Sequence, residues 1–290
     1  MIRKDMSSFL KILIIFLSLF FSNCFLFKNK IDNISLNEWS GKEIYIADLD
    51  ESYKKTKRFN KIFSKIHSRR FKPYYRFTEK KFIIVGSFRT QKNIYLVFKD
   101  SKNKQYKVSL TNTINSQISI PSFIVFNETF LSAKKLIGRM VWLNDILDKN
   151  GFHANINSDF FRFQKVNVID IVKFQNADNG HPIWLKVSNE NGETALVRYN
   201  IQGVRFGIKD NYFLMDPLPT KWPNTVIDKI KNNQTEIGMT ERQVRIAKGY
   251  PDEINFTSSR HGISEQWIYN VSNKKIYYQF EYGKLTYITY

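Results

Sequence analysis

The sequence predicts a mainly β protein that ends in an α+β segment. Short runs of β-branched and aromatic residues recur through the middle of the chain: Phe82-Ile83-Ile84-Val85, Tyr95-Leu96-Val97-Phe98, Val168–Val172 and Trp184-Leu185-Lys186-Val187. That composition suits a pleated, half-buried surface. Polar turns separate the runs at Lys99–Lys104 and Asn189–Glu193, and Asn191-Gly192 in the second is a strong hairpin signal. Helical periodicity is confined to the C-terminal region. The 290 residues are 42% hydrophobic, with 25 Phe and 15 Tyr, enough to build packed cores and to argue against disorder. A single cysteine excludes a disulfide within the chain, so stability rests on packing.

At the N-terminus, Arg3 and Lys4 form a positive n-region, and Ile12–Phe21 is an apolar run broken only by Ser18. Lys11 and Ser22-Asn23-Cys24 bracket a stretch shorter than the ~20 apolar residues of a membrane-spanning helix. It therefore reads as an export signal. Phe21-Ser22-Asn23-Cys24 resembles the bacterial lipobox, with Phe21 and Asn23 standing where its commonest form has Leu and Gly. The resemblance implies a signal peptide over 1–23 and acylation of Cys24. A lipidated tether then covers 24–35, and the chain sits in the cell envelope at the outer membrane, facing the periplasm. Two or three acyl chains anchor stably where one is marginal.

The middle of the chain repeats. Gly41–Leu49 lines up with Gly138–Ile146 at an offset of 97, Ile94-Tyr95-Leu96 with Ile183-Trp184-Leu185 at 89, and Ile124–Glu128 with Tyr212–Asp216 at 88. Two tandem copies are expected, 36–134 and 135–221, each of about five short strands, a size that fits a small barrel or compact sandwich. A Gly-basic-apolar first strand is followed by a long variable loop, three strands and a short last one. This order resembles SH3-like barrels of bacterial envelope proteins and implies two tandem SH3-like β-barrels. Surfaces of that kind recognise peptides or glycan stems.

The formal charge of +19 is unevenly spread. Lys54, Lys55, Lys57, Arg58, Lys61, Lys65, Arg69, Arg70, Lys72 and Arg76, with Lys80 and Lys81, face one acid, Glu79, and are interleaved with Phe59, Phe63, Phe71, Tyr74, Tyr75 and Phe77. This stretch is expected to be the long loop of copy one, with Leu147–Asp159 its counterpart in copy two. Cations among aromatics would bind nucleic acid by phosphate neutralisation and stacking, but export removes that partner. Anionic lipid head groups, lipopolysaccharide phosphates or an acidic cell-wall polymer are the expected ligands, and a merely solubilising charged face weighs equally.

In the last third, Thr225–Asn233 places Val226, Ile227 and Ile230 on one helical face. Thr240 with Gln243 forms a capping box for a second helix, which Gly249 and Pro251 end. Strands are expected at Gln266–Tyr269, Lys275–Phe280 and Lys284–Ile288. Gly238, Met239, Thr240, Val244, Gly249, Pro251, Trp267, Tyr269, Tyr278, Phe280, Gly283 and Leu285 together resemble the BamE-like (SmpA/OmlA) domain. That resemblance implies an ααβββ module over 222–290, in which these residues cap, turn and pack. It also implies a non-enzymatic binding or scaffolding role toward another envelope protein, lipid or polymer.

One enzymatic alternative comes from Asp48-Leu49-Asp50 after an apolar strand, which mimics the Asp-x-Asp signature of haloacid-dehalogenase-like phosphatases. An envelope phosphohydrolase using Asp48 and Asp50 is the runner-up. The later Gly-Asp metal motif and alternating βα patterning are missing, and Leu147 stands where the second copy would repeat Asp50. His67, His153, His181 and His261 show no ligand spacing, so no metal or cofactor is expected.

Overall fold

A computed structural model describes residues 33–49, 62–112, 118–144, 152–154, 159–175, 182–201, 209–259, 262–272 and 274–289. The export signal, Cys24, Asp50, Lys54, Lys55, Lys57, Arg58 and Lys61 lie outside the described residues. Among the described residues no helix is long and apolar enough to cross a membrane.

The chain is mainly β and packs as two compact units, Met1–Glu43 with Thr56–Pro121, and Ile44–Lys55 with Ser122–Tyr290. This division differs from the boundaries expected at 134/135 and 221/222. Strands β1 (Glu43–Ile46) and β2 (Asp48–Leu49) show why. Ala47 between them is fully buried in one cluster with Val125, Val141, Leu143 and Val168, so the chain commits to the second core at this point.

The first unit is an antiparallel sheet. Its strands are β3 (Phe63–Lys65), β4 (Phe71–Lys72), β5 (Lys81–Arg89), β6 (Ile94–Lys99), β7 (Gln105–Asn112) and β8 (Ile118–Ser119). They run in the order β4-β3-β7-β6-β5, with β8 on β7. Its core is aromatic. Phe63 and Phe77 have ring centroids 4.3 Å apart, Phe82 and Phe98 5.1 Å, and Phe77 and Tyr106 5.1 Å, the last two pairs edge-on, the arrangement the ring quadrupole favours. The basic stretch is thus not a loop throughout, because Phe63, Tyr74 and Phe77 from it are core residues. Ser35 is also not free tether. It exchanges two backbone hydrogen bonds with Ser87, each 2.9 Å. Gly86 permits that approach, since a Cβ there would lie 2.4 Å from the Ser35 carbonyl oxygen.

The second unit continues with β9 (Ile124–Phe126), helix α1 (Asn127–Lys134), β10 (Met140–Leu143), β11 (Phe152–Ala154), β12 (Lys165–Gln175), β13 (Ile183–Ser188), β14 (Thr194–Arg198) and β15 (Tyr212–Phe213). The sheet order is β11-β14-β13-β12-β10-β15, with β2 parallel to the end of β12 and β1 antiparallel to β9. Helix α1 was not apparent from the sequence, where Asn127 and Glu128 align with the end of a strand.

Backbone hydrogen bonds reproduce the sequence repeat. Gly41 N–H donates to Ile84 O and Ile84 N–H to Lys42 O, at 2.8 and 3.0 Å; Gly138, Val168 and Arg139 repeat the pair at the same distances. The pairing register shifts between Ile84 and Gly86 in one copy and between Val168 and Asp170 in the other. Ser64 opposes Lys107 as His153 opposes Leu196. The β6–β7 and β13–β14 turns match as well. Asp100 Oδ1 accepts from the Lys102 and Lys104 N–H groups, and Asn189 Oδ1 from those of Asn191 and Glu193. The left-handed residue is Asn103 in one turn and Gly192 in the other.

The chain ends with α2 (Asn224–Lys231), α3 (Glu241–Lys248) and a four-stranded antiparallel sheet, β16 (Glu253–Ser259), β17 (Gly262–Val271), β18 (Lys274–Glu281) and β19 (Lys284–Thr289). The capping box forms as expected. Gln243 N–H donates to Thr240 Oγ1 at 3.3 Å, and Thr240 N–H to Gln243 Oε1 at 2.7 Å. Gly249 closes α3 at φ 93°, a conformation in which glycine avoids a Cβ clash. The sheet has four strands where three were expected. In β16 Ile254 packs on the core, while Phe256, on the same face, stays 67% exposed.

Candidate binding cleft

Arg162 joins the repeat-bearing part of the second unit to α2 and α3. Its guanidinium donates to Asn144 Oδ1 (3.1 Å), Ile230 O (3.0 Å), Asn233 Oδ1 (2.7 Å) and Ile246 O (2.5 Å). Ile230 and Ile246 lie in the last turns of α2 and α3, where the helix dipole favours a cation; Ile230 O also accepts from the Asn233 N–H at 3.1 Å. One planar fork therefore closes both helix ends.

Beside this joint, α3 and the segment after β15 line a cavity of about 480 Å³. One wall is apolar: Phe213, Leu214, Met215 and Pro217, with Leu214 57% and Met215 75% exposed. The other wall carries Arg242 and Arg245, three residues apart and so on one side of α3. The Arg242 guanidinium lies 5.6 Å from the Trp222 ring centre, and that of Arg245 5.3 and 5.0 Å from those of Tyr250 and Trp267. Cation–π contact of this kind holds each charged head while leaving its N–H donors available. Tyr250 Oη donates to Asp210 Oδ2 at 3.1 Å. Burial, and then the charge of Glu265, hold the Glu241 carboxyl above its ordinary value, with Arg245 partly offsetting them. Chemically, the cleft offers an apolar groove with two positioned guanidinium groups and the Lys209 ammonium, set beside the carboxyl groups of Asp210 and Glu241.

The residues singled out from the sequence lie elsewhere. Lys65, Arg69, Arg70 and Arg76 are exposed and Lys72 half-buried. Lys72 and Arg76 edge a hollow of about 140 Å³ with Lys80, Asp100 and Tyr106, and the Lys80 ammonium donates to Arg76 O at 2.7 Å. Because Phe63, Tyr74 and Phe77 are buried, only Phe71 and Tyr75 remain as exposed rings among the described basic residues of this stretch. Asp48 sits in β2, where its Oδ1 accepts from Leu49 N–H at 2.9 Å. It borders a cavity of about 430 Å³ together with His153, Lys173 and Lys186. The Lys173 ammonium lies over Phe130 and Tyr45, 4.1 and 4.8 Å from the ring centres. Among the described residues no group of three or more His, Cys, Asp or Glu could hold a metal ion.

Sequence reasoning missed the cleft. The available signal was Leu214-Met215 next to Asp216-Pro217, an apolar pair inside a turn, and the Arg242/Arg245 spacing within an already recognised helix. No family model, curated protein or solved structure matches the chain.

Proposed function

We propose that the chain is a non-enzymatic cell-envelope lipoprotein, anchored through Cys24. In this reading it consists of two SH3-like repeats and a BamE-like C-terminal module, and it holds another envelope protein by a peptide segment seated in the α3 cleft. The observation that carries this reading is the pairing of exposed Leu214 and Met215 with Arg242 and Arg245 across one concavity. The matching segment is acidic and apolar: its aliphatic side chains cover Leu214 and Met215, and its carboxylates take bidentate hydrogen bonds from the guanidinium groups. Aromatic contacts already restrict both arginines, so little ordering cost remains on binding. The net charge of +19 steers an acidic partner toward the protein.

The test is a photo-crosslinking side chain at Met215 in intact envelopes, with captured proteins identified by mass spectrometry. A discrete protein adduct is expected. Arg242→Glu with Arg245→Glu should abolish it, while Asp48→Asn leaves it intact. An adduct indifferent to the charge reversal sinks the cleft reading. Loss in Asp48→Asn with normal folding favours the phosphohydrolase alternative.

A further inference from the structure

The sheet of the second unit is hollowed on the face turned away from its core. On β13, Trp184, Lys186 and Ser188 alternate with the core residues Ile183, Leu185 and Val187. The pairing sets Asp170, Lys186, Leu196 and His153 in one row across that face. The neighbouring row is Val172, Trp184 and Arg198; Trp184 is fully buried, and the Arg198 guanidinium lies 4.5 Å from its ring centre. Strands β14 and β13 separate β11 from β12, a width of about 14 Å. The His153 and Phe174 ring centres are nevertheless 6.3 Å apart, so this face curls. It encloses the cavity of about 430 Å³ that Asp48 borders, with Val172, Phe174 and Leu196 as apolar lining and Lys186, His153 and Thr194 as polar groups. Lys173 also borders it, but its ammonium is held over Phe130 and Tyr45. Among the described residues the Lys186 ammonium and the His153 ring nitrogens make no hydrogen bond or ion pair, while the Asp170 carboxylate accepts from Ile171 N–H at 2.7 Å. The same row in the other copy is Gly86, Val97, Lys107 and Ser64. There Val97 is fully buried with Ile66 and Phe88, Ile34 packs on them, and Lys107 turns its ammonium to Ile66 O. One copy thus fills this face with its own side chains, and the other keeps a hollow flanked by two uncommitted nitrogen groups.

We propose that this hollow binds a small monocarboxylate with an apolar body. Lys186 and His153 flank Leu196 in the row, so a carboxylate seated over Leu196 takes a charge-assisted hydrogen bond from the ammonium. The imidazole supplies an N–H on the other side in either protonation state. A hydrocarbon body of about eight carbons covers Leu196, Val172 and Phe174, and the cavity volume is in the range of pockets that enclose such molecules. Asp48 limits the charge of the ligand. One negative charge is balanced by Lys186, whereas a second meets the Asp48 carboxylate, and like charges brought together weaken binding. The site is separate from the α3 cleft, and either reading can fail alone.

The test is calorimetric titration of the full-length protein, in detergent micelles, with octanoate, against a blank of empty micelles. Saturable binding with a Kd at or below about 1 mM is expected, and 1-octanol, the same body without the charge, should bind at least about tenfold more weakly. Lys186→Met keeps the stem and removes the ammonium. It should weaken octanoate at least about tenfold with the unfolding midpoint unchanged. The His153 ring signals, followed by NMR, should move in the same titration, and Asp48→Asn should leave the affinity equal or tighter. Failure of octanoate to bind, equal binding of 1-octanol, tighter binding of octyl phosphate, indifference to Lys186→Met, unmoved His153 signals or weakening by Asp48→Asn would each overturn the proposal.

Discussion

Replacing Arg162 by Ala tests whether one side chain holds the second unit together. The substitution removes the donors to Asn144, Ile230, Asn233 and Ile246. Hydrogen bonds to charged groups contribute roughly 1.5–3 kcal/mol each, but the four share one half-buried guanidinium and water recovers part of the loss. The Ile246 carbonyl belongs to a residue 6% exposed and is the acceptor left hardest to satisfy, whereas Ile230 O keeps the Asn233 N–H at 3.1 Å. A net loss of about 4 kcal/mol follows, a fall in Tm of about 8–16 °C for a unit of this size. Urea unfolding followed by the fluorescence of buried Trp267 measures it. Arg162→Lys keeps the charge but not the fork, and should lose about half as much. A loss below about 1 kcal/mol in Arg162→Ala would refute the reasoning and mean that solvent replaces the joint.

Asp100→Asn should be nearly neutral at pH 7, because Asn189 makes the same turn in the other copy, whereas Asp100→Ala should cost about 1 kcal/mol. Burial pushes the Asp100 carboxyl up, but hydrogen bonds from Lys104, Lys102 and Tyr106 outweigh it and leave it below its ordinary value. Its contribution is therefore complete above about pH 4 and lost as pH falls through the lowered value. Acid titration of Asp100→Asn should lack that component, and identical acid curves would refute the assignment. Gly86→Ala drives a Cβ into the Ser35 carbonyl and should cost about 1–3 kcal/mol while exposing residues 33–36 to protease; unchanged protection there would refute the contact. Thr240→Ala removes half of the capping box and should lower stability by about 1 kcal/mol, read as a Tm shift of about 2–4 °C.

The features legible in the sequence are those whose causes are local. The capping box at Thr240 and Gln243 needs residues three apart, the Asn191-Gly192 turn needs two neighbours, and the repeat offsets recur as hydrogen-bond registers because turn and bulge positions fix strand pairing. The Arg162 joint was not legible, since its acceptors Ile230 and Ile246 lie 68 and 84 residues away. Strand β16 was not expected, although Ile254 and Phe256 alternate with Asn255 and Thr257 as in a short strand; of these two apolar residues only Ile254 packs on the core. The basic stretch was misread in part for the opposite reason: Phe63, Tyr74 and Phe77 share a segment with exposed cations, and composition does not say which side of a strand each residue takes.

The matching registers of the two copies set the chain a sorting problem during folding. A strand emerging from the unfolded state meets two partners offering the same turn, the same bulge and the same backbone pairing, and exchange between copies would satisfy most main-chain hydrogen bonds. What separates right from wrong partners is side-chain divergence at equivalent positions. Gly86 in one copy answers Asp170 in the other. Lys107, whose ammonium donates to Ile66 O at 2.9 Å, answers Leu196. A strand carrying Asp170 against Ser35 could not close, and one carrying Leu196 opposite Ser64 would leave the Ile66 carbonyl without its donor. Divergence between the copies thus encodes which half of the chain each strand joins, and making them more alike would trade stability of each for entanglement of both.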